Sequence, residues 1–352
     1  MFVTGLGLAN PAHRYTKADC WASFRNSEWF ERLDRRSRAI AETVLTRDNG
    51  IEARWLAVDS LEEAFVISPD ILLARFTRHA PKLAATACRR ALDDAHVSAR
   101  EIDAVVVSTC TGYLCPALSG YVIEQLGLRA DVQAYDLVGQ GCAAAVPNWR
   151  IAETLVAARR AQHVLSVCVE VSSAAMYLDN DPGVLISACL FGDGAGATVL
   201  SQSPHPSNRR VEWKTAGSLT VPSEREALRF EHRCGLLRNV LTRRVPQLAA
   251  DAAQKVMHGV LSPIGLGKHD IQTWIWHAGG RDVLNALRER MELEPADLSH
   301  SAATLREYGN LSSAFLCFVL RAALDAKARG GLWWMSSFGA GFSCHGALLE
   351  VA

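Results

Sequence analysis

The 352-residue sequence has no excess of charge of either sign: Lys plus Arg and Asp plus Glu each number 37. That balance argues against a nucleic-acid partner or an anionic membrane surface. No apolar run approaches the roughly 18 residues that a spanning helix needs. The opening MFVTGLGLANPAHRYTKAD has no basic segment followed by a long apolar one, so no signal peptide is expected. A cytoplasmic protein that is not an integral membrane protein is expected. Low-complexity tracts are also missing, and at 49% hydrophobic residues the chain can bury a large core in one or two domains. A metal-binding pattern is lacking too. The ten cysteines are scattered, and the closest pair, Cys110 and Cys115, has no second pair or nearby His to complete a zinc set. Cys88, Cys168, Cys189 and Cys317 sit inside apolar runs and read as small core residues. No metal is expected.

What is present is an alternation of short β-rich runs and longer helical ones, the pattern of an α/β protein. Strands are expected at 103–109, 132–138 and 163–169, with helices around 81–95, 117–126 and 144–161. The polar segment SQSPHPSNRR (201–210), with two prolines, reads as a boundary. It divides the chain into residues 1–203 and 204–352. The two sides match each other. LFGDGAGATVL (190–200) corresponds to SFGAGFSCHGALL (337–349), and AQHVLSVCVEVSS to GGLWWMSS. The helical GCAAAVPNWRIAETLVAA corresponds to GNLSSAFLCFVLRAALDA, and IDAVVVSTCTG to IQTWIWHAGG. Duplicated α/β halves are the reading.

In that alignment Cys142 and Asn310 occupy matching places, each after a glycine at the start of a helix, while His277 ends a strand of the second half. A cysteine at a helix N-terminus feels unpaired N–H groups and the positive end of the dipole, which favour the nucleophilic thiolate. Gly139 and Gly141 permit the sharp turn around it. Each residue also has a plainer reading. Cys142 alone fits a small residue in a tight turn, His277 a packed side chain, and Asn310 a helix N-cap. Taken together, a Cys–His–Asn set can hold a thiolate and donate hydrogen bonds to an oxyanion, which points to acyl transfer. A Cys–His hydrolase has the same residue types.

Four motifs in order, GQGCAAA, LFGDGAGA, HAGGRDVL and YGNLSSAF, resemble those of the type III polyketide synthases, the chalcone-synthase-like branch of the thiolase-fold condensing enzymes. The likeness runs from GLGLANP to GALLE. It implies a thiolase-like fold, two duplicated βαβαβ-type halves in a five-layered α/β arrangement. It implies a catalytic triad of Cys142, His277 and Asn310. Cys142 would take an acyl group from a coenzyme A thioester, and the other two would stabilise the enolate left when malonyl-CoA loses carbon dioxide. No cofactor would be needed beyond the acyl-CoA and malonyl-CoA substrates. The resemblance places Cys110, Thr111, Ser172, Ala175 and Ser312 around the cavity and Gly279 and Gly280 against the pantetheine arm. Cys115 falls where family members reach into a partner's cavity, which implies a homodimer.

The family's glycine-rich loop appears as Ser337-Phe338-Gly339-Ala340-Gly341. Its two gatekeeper phenylalanines are expected within Val211–Trp213, where Trp213 is the aromatic candidate, and near Arg238–Asn239. Of the basic residues that grip coenzyme A, Arg47 is the closest match. The block LRFEHRCGLLRNVLT (228–242) resembles the bacterial alkylresorcinol and alkylpyrone synthases. That implies a long-chain fatty acyl starter, with cyclisation to a resorcinol or a pyrone left open. A short or aromatic starter, a ketoacyl synthase of the fatty-acid initiating type, a Cys–His hydrolase and a non-catalytic partner subunit are the alternatives.

Overall fold

A computed structural model describes residues 1–207 and 209–352; residue 208, inside the expected boundary segment 201–210, lies outside the described residues. The strands are β1 (Phe2–Ala9), β2 (His13–Thr16), β3 (Ala53–Leu56), β4 (Ala104–Ser108), β5 (Gln133–Leu137), β6 (His163–Glu170) and β7 (Gly194–Ser201). They continue as β8 (Val211–Thr220), β9 (Leu228–Arg233), β10 (Leu236–Leu241), β11 (Ile271–Trp276), β12 (Gly331–Gly339) and β13 (Ser343–Val351). Runs such as AVVVS in β4 are buried at every position, as expected of strands covered on both faces.

Nine strands form one sheet in the order β11-β12-β13-β8-β1-β7-β6-β4-β5. The first half contributes β1-β7-β6-β4-β5 and the second β8-β13-β12-β11, the same order in the two apart from the extra edge strand β5. Orientations repeat as well: β1 with β7 and β6 with β7 are antiparallel, β4 with β6 parallel. In the second half β8 with β13 and β12 with β13 are antiparallel, and β11 with β12 is parallel. The half-sheets meet where β1 pairs with β8, at Phe2↔Glu212 and Val3↔Val211. Helices Ala145–Ala157 and Phe315–Asp325 each touch strands of both half-sheets and fill the space between them. Pro69–Ala95 covers the outer face of the first half-sheet and Val245–Leu261 that of the second. The result is five layers, helix-sheet-helix-sheet-helix.

One helix differs from expectation. The segment expected at 81–95 begins at Pro69, capped by the Ser68 side chain and running through Pro81. Proline at the first turn is well tolerated, and the interior Pro81 is held by the tertiary packing of the helix's buried face. Its small residues lie directly on β1, where glycines make room. A Cβ on Gly7 would stand 2.1 Å from the Ala87 carbonyl oxygen, and one on Gly5 2.1 Å from that of Ala91. Gly7→Ala is therefore expected to force the helix off the sheet and cost about 1–3 kcal/mol. Thermal unfolding followed by circular dichroism should show a melting temperature lower by several degrees; a wild-type value would refute the close approach.

Candidate active site

Cys142 lies in the single 3-10 turn Gly141–Ala143 that leads into helix Ala145–Ala157. Gly139 (φ +81°) and Gly141 (φ +55°) supply the left-handed backbone of the corner. The end of β12 presses against this turn. A Cβ on Gly339 would be 2.4 Å from the Gln140 carbonyl oxygen, and Ser337 Oγ donates to the Ala143 carbonyl at 2.9 Å. Gly339 thus supports the nucleophile from below and does not line a cavity.

His277 follows β11, fixed by its backbone N–H to the Ser336 carbonyl at 2.9 Å. Its ring meets Phe315 edge-on at 5.3 Å and Phe338 at 6.4 Å. Asn310 follows Gly309, whose φ of +68° ends the preceding helix. Its Oδ1 accepts from the Ser312 N–H at 2.8 Å and its Nδ2 donates to the Gly279 carbonyl at 3.3 Å. Asn310 is therefore not the helix N-cap expected: Leu311 and Ala314 take those places without a side-chain cap, and the Asn310 amide closes a local turn onto Ser312 instead. A Cβ on Gly279 would stand 3.9 Å from Asn310 Nδ2 and 4.0 Å from His277 Nε2. Asn310 Nδ2 and His277 Nε2 therefore border one place, which a side chain at residue 279 would begin to fill.

Cys142, His277, Asn310, Gly279, Gly280 and Phe338 all line one channel of about 490 Å³. Arg243 and Arg281 line it as well, with Val44 and Asn49; Arg47, the basic residue expected there, does not. Cys110, Thr111, Ser172 and Ala175 line a separate inner chamber of about 30 Å³, room for about one water. Cys110 and Thr111 also face a third, largely apolar cavity of about 580 Å³ that includes Gly139 and Gly141. Cys115 is exposed and lines none of these.

Trp213 requires a correction. It is buried in β8 with its ring 5.9 Å from Trp149, in the core beneath the sheet and outside the cavities. The aromatic side chain between channel and chamber is Phe191, which lines both, as does Asn239. Phe191 stands in LFGDGAGA, held by the bridge to Asn310 and by Arg54 Nη1 on its carbonyl at 3.1 Å.

Sequence reasoning also passed over Glu170, a charged residue inside the apolar strand β6, which was itself a readable signal. It is fully buried and accepts hydrogen bonds from Thr111 Oγ1 at 2.9 Å, Cys110 N–H at 3.0 Å and the Ser313 hydroxyl. Burial raises its carboxyl above the ordinary range, while the Ser313, Cys110 and Thr111 donors pull the other way. Ser312 Oγ lies 3.2 Å from Cys142 Sγ, Cys110 Sγ and Glu170 Oε1. Its one proton can serve a single acceptor at a time, which couples the buried carboxyl to the nucleophile.

The expected thiolate is not what this arrangement favours. Burial pushes the Cys142 thiol up, to about 12, against the Ser312 hydroxyl. Burial also pushes His277 down, to about 3. The turn's own carbonyls satisfy the N–H groups of Ala143 and Ala144, which weakens the helix-end field at the sulfur. Burial thus favours the neutral form of each group. Iodoacetamide labelling of Cys142, resolved by peptide mass spectrometry, should accordingly rise ~tenfold per pH unit from pH 6 to 10. A plateau below pH 8 would mean that a thiolate is held.

Residues 40–218 match the family described as FAE1/Type III polyketide synthase-like protein, and residues 214–350 the C-terminal domain of chalcone and stilbene synthases. Solved structures share the fold over nearly the whole length. PKS-I of the brown alga Ectocarpus siliculosus superposes with a TM-score of 0.90 at 24% identity, covering 99% of this chain and 98% of its own. The 1,3,6,8-tetrahydroxynaphthalene synthase of Streptomyces coelicolor gives 0.87 at 24%, covering 100% and 99%. A fungal type III polyketide synthase, ORAS, gives 0.84 at 24%, again covering 100% and 99%. The chain, with its thiolase-like architecture, belongs to the type III polyketide synthase family.

Proposed function

We propose that this protein condenses a long-chain fatty acyl-CoA starter with malonyl-CoA and cyclises the product to an alkylpyrone or alkylresorcinol. The observation that carries the condensing chemistry is the convergence of Cys142, His277 and Asn310 on one channel. In the first step Cys142 Sγ attacks the starter thioester, forming the acyl–sulfur bond as the coenzyme A sulfur leaves, and the proton lost by the Cys142 thiol departs with coenzyme A. Malonyl-CoA then enters the same channel and loses carbon dioxide. The enolate oxygen that forms sits where His277 Nε2 and Asn310 Nδ2 converge, and two preorganised donors in a dry site stabilise it strongly. Its carbon attacks the acyl-Cys142 carbonyl, forming the new C–C bond as the sulfur leaves. A neutral imidazole suits this step, because Nε2–H donates without a charge that would need its own counterion. The substrates' thioester energy and the release of carbon dioxide drive the reaction, so no metal or redox cofactor is invoked.

The apolar cavity beyond the nucleophile turn supports the alkyl starter. Leu72, Leu73, Phe76, Phe230, Leu236 and Leu237 are among its walls, and an apolar chain gains free energy in proportion to the area it buries there. Its open side is ringed by exposed Leu73, Tyr113 and Val138, and β5 ends the sheet. Exposed apolar side chains next to a free strand edge favour a second copy as the cover, in keeping with a homodimer. Arg243 and Arg281 at the channel are the candidates for gripping coenzyme A phosphates.

Purified enzyme with labelled malonyl-CoA and acetyl, hexanoyl, palmitoyl, benzoyl and coumaroyl coenzyme A tests this reading. Alkylpyrones or alkylresorcinols from the palmitoyl starter, and none from Cys142→Ala, are expected. Aromatic starters winning would remove the alkyl assignment, and no carbon dioxide release with any starter would favour a hydrolase. Arg243→Ala and Arg281→Ala should each raise KM for coenzyme A substrates roughly fivefold, with little change for N-acetylcysteamine thioesters. Light scattering should give the mass of two chains; a single-chain mass would overturn the dimer.

A further inference from the structure

A buried arginine outside the triad reaches the segment that holds Asn310. Arg54, in β3 and only 7% exposed, meets the C-terminal end of helix Pro182–Leu190. Its Nη1 donates to the Ala188 carbonyl at 2.8 Å and to the Phe191 carbonyl at 3.1 Å. The last carbonyls of a helix have no partner within it and form the negative end of its dipole, so a cation is favoured there.

These carbonyls are open to Arg54 because the helix gives up its next bond. In a continuing helix the Gly192 N–H would close on the Ala188 carbonyl. Here it donates to the Asn310 carbonyl at 3.0 Å, while the Asn310 N–H donates to the Leu190 carbonyl at 2.9 Å. The chain leaving the helix thus holds the Asn310 backbone from both sides, as the bridge Phe191↔Asn310. Gly309, just before it, fits against the same groups. A Cβ there would be 2.6 Å from the Leu190 carbonyl oxygen and 3.1 Å from Arg54 Cγ. The chain around β3 also grips the far end of this segment. Asp193 N–H donates to the Trp55 carbonyl at 2.7 Å, and Asp193 Oδ2 accepts from Ala57 N–H at 2.7 Å.

We propose that Arg54 is a positioning residue for the reaction: by holding the Ala188 and Phe191 carbonyls it keeps the helix end open onto Asn310, and so fixes where the Asn310 amide stands when malonyl-CoA becomes an enolate. The inference rests on the polyketide synthase reading above. Without the guanidinium, two buried carbonyls lose their donor, and the Gly192 N–H is drawn back to Ala188. That exchange breaks one of the two bonds on the Asn310 backbone. Nδ2 then shifts from its place beside His277 Nε2, and a misplaced donor loses much of its hold on the developing charge. Cys142 is held by its own turn and by the end of β12, so loading of the starter is spared.

The test compares two steps in each variant. Loading of Cys142 from palmitoyl-CoA is followed by intact-protein mass spectrometry, and carbon dioxide release is followed with labelled malonyl-CoA. Arg54→Met should lower the rate of carbon dioxide release roughly tenfold to a hundredfold, part of what losing one oxyanion donor costs. The KM for malonyl-CoA should stay near the wild-type value, because the lost interaction is made only in the transition state. Loading should stay within about threefold of wild type. Arg54→Lys keeps a cation at the helix end without the rigid fork; it should fall between the two, and it carries the test if Arg54→Met does not fold. Combined with Asn310→Ala, either change should add no further loss, since Arg54 acts through Asn310. A merely structural Arg54 would slow loading and carbon dioxide release in equal proportion, and that result overturns the proposal. So does unchanged carbon dioxide release in both variants, or a full additional loss on top of Asn310→Ala. A wild-type enzyme that releases no carbon dioxide with any starter sinks the functional reading and this inference together.

Discussion

At the seam between the two halves, the backbone of the nucleophile turn rests directly on the backbone at the end of β12, with no side chain between them. Gly339 fits only because it has no Cβ to meet the Gln140 carbonyl, and Gly141 faces Ala340 at a distance that leaves a side chain little room. This contact fixes how far Cys142, on the first half, stands from His277 and Asn310, on the second. The rest of the site is arranged around that spacing. Phe338, the residue before Gly339, is carried by the same strand end into the channel, where it stacks on Trp276 and faces His277. A larger residue there would change the depth of the nucleophile and the tilt of the imidazole together.

The same seam buries much of the site, and burial bears on the protonation states. Buried groups avoid charge unless it is compensated. His277 has an aromatic ring against one edge and no partner for Nδ1, so it stays neutral. Cys142 has one hydroxyl neighbour, shared with Cys110 and Glu170. Glu170 is surrounded by donors and still feels its burial. A site of neutral groups costs less to assemble than one with a standing ion pair. It also places its N–H donors where negative charge appears only during reaction, which is the condition for stabilising a transition state more than a ground state.

Much of this was legible in the sequence. The duplication could be read because each half repeats strand, helix and turn signals in one order, and the strand order and orientations repeat in the structure. Cys142, His277 and Asn310 could be paired because two of them occupy matching helix starts. Trp213 could not be placed correctly from sequence. An aromatic residue in a strand of alternating exposure reads alike whether it faces the core or a cavity, and only packing on Trp149 decides. Phe191 was hidden inside a glycine-rich motif whose backbone role drew the attention. The environment of Cys142 was less legible for a different reason. A helix start promises unpaired N–H groups, but here a 3-10 turn uses them itself.

The halves differ where the site differs from its own duplicate. Between the first strand and the outer helix of each half the chain departs from the repeat, with β2, short helices and β3 in one and β9 with β10 in the other. Both departures reach the channel: Val44 and Asn49 come from the first, and Leu228, Asn239, Leu241 and Thr242 from the second. The repeated core thus supplies the nucleophile and the paired donors, and the two unrepeated segments supply the walls that a substrate meets. Because the β9–β10 hairpin is fixed by Arg238 to a loop outside the core strands, its sequence can vary without disturbing the seam at Gly339. Chemistry and selectivity are therefore built largely from separable parts of one fold, and the end of helix Pro182–Leu190, where Phe191 lines the channel and pairs with Asn310, is where they meet.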